Sequence, residues 1–257
     1  MIRWNSLQKG KIAFVNVGAN STHANLRSPI FEDGTFEFVP IPDLILGMMS
    51  RHVGLKYENL KAFNGVAFDE FVPPKHLKQF AHADPDFLHF TYGDYPNQSP
   101  RASNLKKLVP GDYLMFFSRL VPWVDGRFLG QAGFYLIGVF EIDKIFKNIF
   151  SQPEEEILRQ IQTNAHIIRG QCDPLLYDGF WIFKGTANSR RFEKAIPLNK
   201  TTVEMFGLVD GHGHRWKWTK FRSDVSAIGS YLRSVKVVTD QADVKRILRV
   251  CSQVRQA

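Results

Sequence analysis

Between residues 11 and 43 the chain reads KIAFVNVGANSTHANLRSPIFEDGTFEFVPIPD, and its polar residues are of types that do chemistry: Asn16, Asn20, His23, Asn25, Asp33 and Glu37. One histidine and two carboxylates, His23, Asp33 and Glu37, make an acid/base set of the kind that group or glycosyl transfer uses. Asn16 and Asn20 carry the donor and acceptor that read the edge of a base. The same residues also suit an Asx-rich loop that satisfies its own backbone amides.

A second set lies in Lys184-Gly185-Thr186-Ala187-Asn188-Ser189-Arg190-Arg191, after an aromatic run at 180–183. Backbone amides, the Ser189 hydroxyl and the forks of Arg190 and Arg191 are phosphate-binding groups, with Lys184 as a further cation. The order is not that of a Walker loop, so nucleotide hydrolysis is not implied. Tyr92-Gly93-Asp94 and Arg101 fall in a polar stretch suited to closing over a ligand. His212 to Arg222 interleaves cations with Trp216 and Trp218, which on a strand would share one face for stacking or for core packing. His212 with His214, and His82, Asp84, Asp86 with His89, mix potential ligands without a diagnostic spacing, so no metal is expected. Cys172 and Cys251 form no CxxC pair, GxGxxG is absent, and no nucleophile triad order is visible, so no cofactor is expected either.

The elements that must position these groups read as α+β. Residues 11–17 suit a strand buried on both faces. Residues 35–41 alternate like a strand until Pro40 and Pro42 stop it. A short helix is expected within 42–55 and a long loop over 80–100. Pro110-Gly111-Asp112 turns the chain into an apolar strand at 113–120, and Asp112 is expected to accept turn amides. GFYLIGVFEI at 133–142 is its partner, with Gly138 at a bend or a close approach. Residues 153–168 read as one helix capped by Ser151, and 240–254 as a second with Val244, Ile247, Leu248 and Cys251 on its apolar face. No repeat or Gly/Ser linker divides the chain, so residues 1–257 read as a single domain.

With 257 residues, 44% hydrophobic and 22 Phe, the chain can bury a sizeable core and still leave aromatics for stacking. Its net charge of +8 is uneven: residues 184–257 hold 15 Lys or Arg against 6 Asp or Glu, and residues 1–183 hold 18 against 19. That basic last third points to a polyanionic partner, nucleic acid or a nucleotide. Without a signal core, a membrane-length apolar run or a disulfide framework, a soluble cytoplasmic protein with no membrane partner is expected.

NVGAN followed by SPIFEDGTFEFVPIPD resembles the opening of the nucleotide-modification-associated domains, type three, a family found beside base-modification genes of phages and prokaryotes. The resemblance continues in Tyr92-Gly93-Asp94, in LVPGDYLMFF at 108–117, in 133–141, in Lys184-Gly185 with Ser189-Arg190, and in Gly229-Ser230-Tyr231-Leu232-Arg233. The turn, strand and kinked-strand core is similar to the PUA, ASCH and EVE pseudo-barrels, whose members bind RNA or modified bases. The resemblance implies an EVE-like mixed β pseudo-barrel with flanking helices and long insertions. It also implies a nucleotide setting, phage defence included; taken with the residue readings above, the candidate ligand set is Asn16, Asn20, Tyr92, Asp94, Arg101, Lys184, Ser189, Arg190, Arg191, Tyr231 and Arg233.

Three functions compete. The first is a protein that binds a nucleotide or modified base. The second is an enzyme that modifies one, with His23, Asp33 and Glu37 as acid/base groups. The third is a protein-interaction module. Convergence of Asn16, Asp33, Glu37 and Asp94 in one pocket would favour the enzyme, and an aromatic cage rimmed by arginine would favour the binder.

Overall fold

The computed structural model describes residues 10–19, 23, 25–48, 54–63, 67–220 and 223–253. In chain order these form β1 (Ile12–Asn16), β2 (Ser28–Ile30), β3 (Ile41–Pro42), α1 (Leu44–Gly47), β4 (Ala81–His82), β5 (Thr91–Asp94), β6 (Tyr113–Val124), β7 (Arg127–Phe128) and β8 (Gly133–Ile149). There follow α2 (Glu155–Ile161), α3 (Ala165–Cys172), β9 (Phe180–Gly185), β10 (Arg190–Leu198), α4 (Lys200–Met205), α5 (Asp224–Tyr231), β11 (Lys236–Val238) and α6 (Gln241–Ser252).

Apolar composition sets the centre of this α+β fold. β1 and β6 are buried almost throughout and pair in parallel, as strands covered on both faces do. β8 runs antiparallel to β6 and is long enough to serve two further partners, β10 along its first half and β9 along its second. β11 edges the sheet beside β1, β5 edges it beside β9, and β2 and β7 pair with the far end of β6. Among the described residues this path does not close into a barrel, and β3 and β4 form a separate ribbon. No helix among them is long and apolar enough to cross a membrane.

Phe14, Phe36, Phe116, Phe117, Phe140, Phe183, Phe192 and Phe206 are fully buried and form much of the main core, each adding roughly 1.5–3 kcal/mol of transfer free energy. At Gly138 the β6–β8 register shifts, and the Phe87 ring with the Arg190 carbonyl occupies the space a Cβ would need. The glycine is therefore a point of close approach, as its place in the strand suggests.

Local chemistry explains where the elements depart from the sequence reading. Residues 35–41 make two isolated bridges, Thr35 to Lys194 and Phe36 to Ile30, and no continuous ladder before β3. The stretch at 80–100 is not one loop, since it contains β4 and β5. The helix expected over 153–168 is two, because Asn164 accepts the His166 amide at 3.0 Å and starts α3 afresh. Glu154, and not Ser151, occupies the cap position of α2. α6 does match: Asp240 caps it through the Ala242 and Asp243 amides, and Val244, Ile247, Leu248 and Cys251 are buried. Residues 212–220 are not a strand; Trp216 is buried with its ring stacked 4.7 Å from that of Tyr231.

Candidate functional site

Two short polar signals build a buried centre between the β3–β4 ribbon, β5 and α3. Pairing of Ile41 with His82 brings Asp43, just beyond β3, next to the histidine ring. His82 Nδ1 lies 3.2 Å from Asp43 Oδ2, which also accepts Arg169 Nε at 2.7 Å. Two residues on, Asp84 Oδ2 accepts the Gly93 amide at 2.8 Å, while Asn164 Nδ2 stands 3.5 Å from Oδ1. The new helix start at Asn164 then sets His166 opposite, with Nε2 at 3.4 Å from Asp84 Oδ2 and Nδ1 at 3.3 Å from the Tyr95 hydroxyl. Gly93 makes this possible, because a Cβ there would overlap the His166 ring.

Burial decides the charges. It pushes the Asp84 carboxyl up to about 8, although His82 and the Gly93 amide pull the other way. It pushes His166 down to about 4, with Arg169 acting in the same direction, and lowers His82 as well. Burial opposes ionisation of Asp43 too, yet the hydrogen bonds from His82 and Arg169 hold that carboxyl well below the usual range. The centre is thus two neutral imidazoles facing a carboxyl, anchored by an Asp43–Arg169 ion pair.

Against the same wall lies a cavity of about 810 Å³. Ala83, Pro85 and Asp86 line it from the loop after β4, while Gln162, Thr163, Ile168 and Gln171 line it from the α2–α3 region. His82, Asp84 and His166, close in sequence to those lining residues, do not themselves line it. Phe38, Phe63, Phe68 and Phe87 supply aromatic walls, and Glu37, Asn59, Lys61 and His89 supply polar groups. Glu37 accepts the Phe63 amide at 2.8 Å and faces Arg191 at 3.6 Å. The Arg191 guanidinium itself lies 4.1 Å from the ring centroids of Phe36 and of Phe63.

The model of one family, nucleotide modification associated domain 3, matches residues 11–224. The chain belongs to that family. No curated protein and no solved structure matches it.

In this member of nucleotide modification associated domain 3, the residues singled out in the sequence do not form one site. Of Asn16, Asp33, Glu37 and Asp94, only Glu37 lines the cavity. Asn16 is exposed at the end of β1, Asp33 is engaged by Thr35 in an exposed turn, and Asp94 accepts the Tyr92 hydroxyl at 2.6 Å. His23 is half-buried, its carbonyl accepting the Leu26 amide, and Asn20 lies outside the described residues. Arg190 and Arg191 are buried and turn away from the surface; Arg190 donates to the Cys251 carbonyl, and Arg191 to that of Phe36. The expectation of two phosphate-facing forks is corrected by that burial. Ser189 is buried against the Glu141 backbone, and the Lys184 ammonium donates to the His89 carbonyl at the cavity's edge. Tyr231 stacks on Trp216 and accepts the Lys217 amide, while Arg101 and Arg233 are exposed. Sequence reasoning noticed His82 and Asp84 but missed Asp43, Tyr95, His166 and Arg169. The one local signal was the Thr163-Asn164 pair, which breaks the helical pattern just before His166.

Proposed function

We propose that this chain binds a nucleotide or modified nucleobase in the cavity bounded by Phe38, Phe63, Phe68 and Phe87, as part of a nucleotide modification system. The observation that carries the reading is the lining itself: apolar aromatic walls with a few polar groups, Glu37, Asn59, Asp86 and His89, at separate points. A base has a flat face for the phenyl rings and an edge of donors and acceptors for those polar groups. Phe63 is 53% exposed and backed by the Arg191 guanidinium, so it offers its outer face for stacking. Lys61 at the rim and Lys184 behind His89 are placed for a phosphate. When the base belongs to a polynucleotide, the exposed cations of the last third, Arg233 among them, meet its backbone. Kinship with the PUA and EVE pseudo-barrels, suggested by the β6–β8 core, fits the same role in phage defence.

A reading as an enzyme is favoured by one observation, that two carboxylates, Glu37 and Asp86, line the same cavity. Calorimetric titration of the full chain with a panel of nucleoside monophosphates separates the two readings. Binding with the nucleotide recovered intact supports the binder, conversion supports the enzyme, and no binding by any member of the panel removes both. Phe63→Ala is expected to weaken binding by about tenfold, or about 1.4 kcal/mol, within the roughly 1–3 kcal/mol that one stacked base contributes.

A further inference from the structure

We propose that His82, Asp84 and His166 form a mononuclear site for a divalent first-row transition metal ion. The three offer His82 Nε2, His166 Nε2 and Asp84 Oδ2, all within 4.8 Å of one another, with the carboxylate oxygen 4.0 Å from the first nitrogen and 3.4 Å from the second. Donors bound tetrahedrally at about 2.0–2.1 Å stand about 3.3 Å apart, a spacing the Asp84–His166 side nearly has already, so an ion would draw His82 inward to close the triangle. As a hydrogen-bonded cluster the same arrangement is poor, because one of these separations is beyond bonding range and the other is at its limit.

What surrounds the triangle orients it. Each imidazole has Nδ1 engaged, His82 by Asp43 and His166 by the Tyr95 hydroxyl, which leaves both Nε2 atoms directed at Asp84. A carboxylate behind one histidine ligand and a hydroxyl behind the other are the outer partners that fix ring orientation at metal centres. Arg169 holds Asp43, and the Gly93 amide holds Asp84. The ligand set selects the ion class: two imidazoles and one carboxylate suit Zn²⁺, Co²⁺, Fe²⁺ or Mn²⁺, whereas Mg²⁺ and Ca²⁺ prefer all-oxygen sites. Three protein ligands leave at least one coordination position for water or another small donor. The site pins the β3–β4 ribbon to β5 and α3, close in sequence to residues that line the cavity. It stands whether or not the cavity takes a nucleotide.

The test is titration of the chelator-treated full chain with Co²⁺ alone, followed by calorimetry and visible absorption, with Zn²⁺ as competitor. His212 and His214 are exposed imidazoles close to Asp210 that could take up Co²⁺ nonspecifically, so the titration uses a His212→Ala/His214→Ala background. Stoichiometric Co²⁺ binding with ligand-field bands, displaced by Zn²⁺, is expected. Asp84→Asn or His166→Gln is expected to weaken it by two orders of magnitude or more, and Tyr95→Phe by about tenfold, the effect typical of an outer partner. Tyr95→Phe keeps the ring and serves as the test should the ligand variants fail to fold. Absence of stoichiometric binding in the double-alanine background, or binding unchanged in Tyr95→Phe and either ligand variant, overturns the proposal.

Discussion

The Arg191 guanidinium lies 3.6 Å from the Glu37 carboxylate, and both side chains are almost wholly buried. The pair ties β10 to the 35–41 segment beside the cavity, and the guanidinium lies over the rings of both Phe36 and Phe63. Burial lowers the Arg191 pKa to about 10 while Glu37 opposes the shift, so the guanidinium stays charged at neutral pH. Removing one partner strands the other in the interior. Arg191→Ala is expected to cost about 3 kcal/mol or more, and Arg191→Lys to recover only part of that, because an ammonium has no planar face for the two rings. Urea denaturation of the two variants checks this; a midpoint equal to the parent's for Arg191→Ala would show that the pair contributes nothing.

Gly93 is where β5 touches the His166 ring. A methyl group at that position has no space without moving either the strand or the start of α3. Gly93→Ala is expected to lower stability by about 1–3 kcal/mol through overpacking. It should also broaden the His82 and His166 ring signals in proton–nitrogen spectra. Unchanged stability together with unchanged imidazole signals would mean that the close approach is not real.

Arg233 is exposed after α5, within the basic last third. If backbone contact with a polynucleotide is made there, Arg233→Glu weakens single-stranded DNA binding and makes its dependence on salt less steep. Affinity for a mononucleotide in the cavity stays as it was. Fluorescence anisotropy at several salt concentrations measures the first effect. A parallel loss of mononucleotide affinity would instead place Arg233 at the base-binding site.

Much of the scaffold was legible because its signals are local. The apolar run of β1, the Pro-Gly-Asp entry to β6, the close approach at Gly138 and the apolar face of α6 each depend on a few adjacent residues. Asp112 accepts the Lys11 amide at 2.8 Å and the Val109 amide at 2.9 Å, the structural part its place after Pro-Gly suggests. The candidate site was much less legible, because its members come from four separate stretches of chain. Nothing in the spacing of His82 and Asp84 announces His166, which reads as one more residue of a long helix until Asn164 interrupts it. Arg190 and Arg191 mislead for a related reason: adjacent strand residues point to opposite faces. Both faces of β10 are covered here, one by α6 and the other by the 35–41 segment. A pair that looks like a surface phosphate fork is therefore divided between two interiors.

The measurement that tests the account most directly is a crystal structure of the full chain soaked with a nucleoside monophosphate that binds it in solution. The account predicts the base inside the cavity, its face against Phe63 or Phe87 and its edge toward Glu37, Asn59 or Asp86, with the phosphate near Lys61. A base found elsewhere, at the Lys184 to Arg191 turn or on the exposed face around Arg233 with the cavity left to solvent, would contradict it.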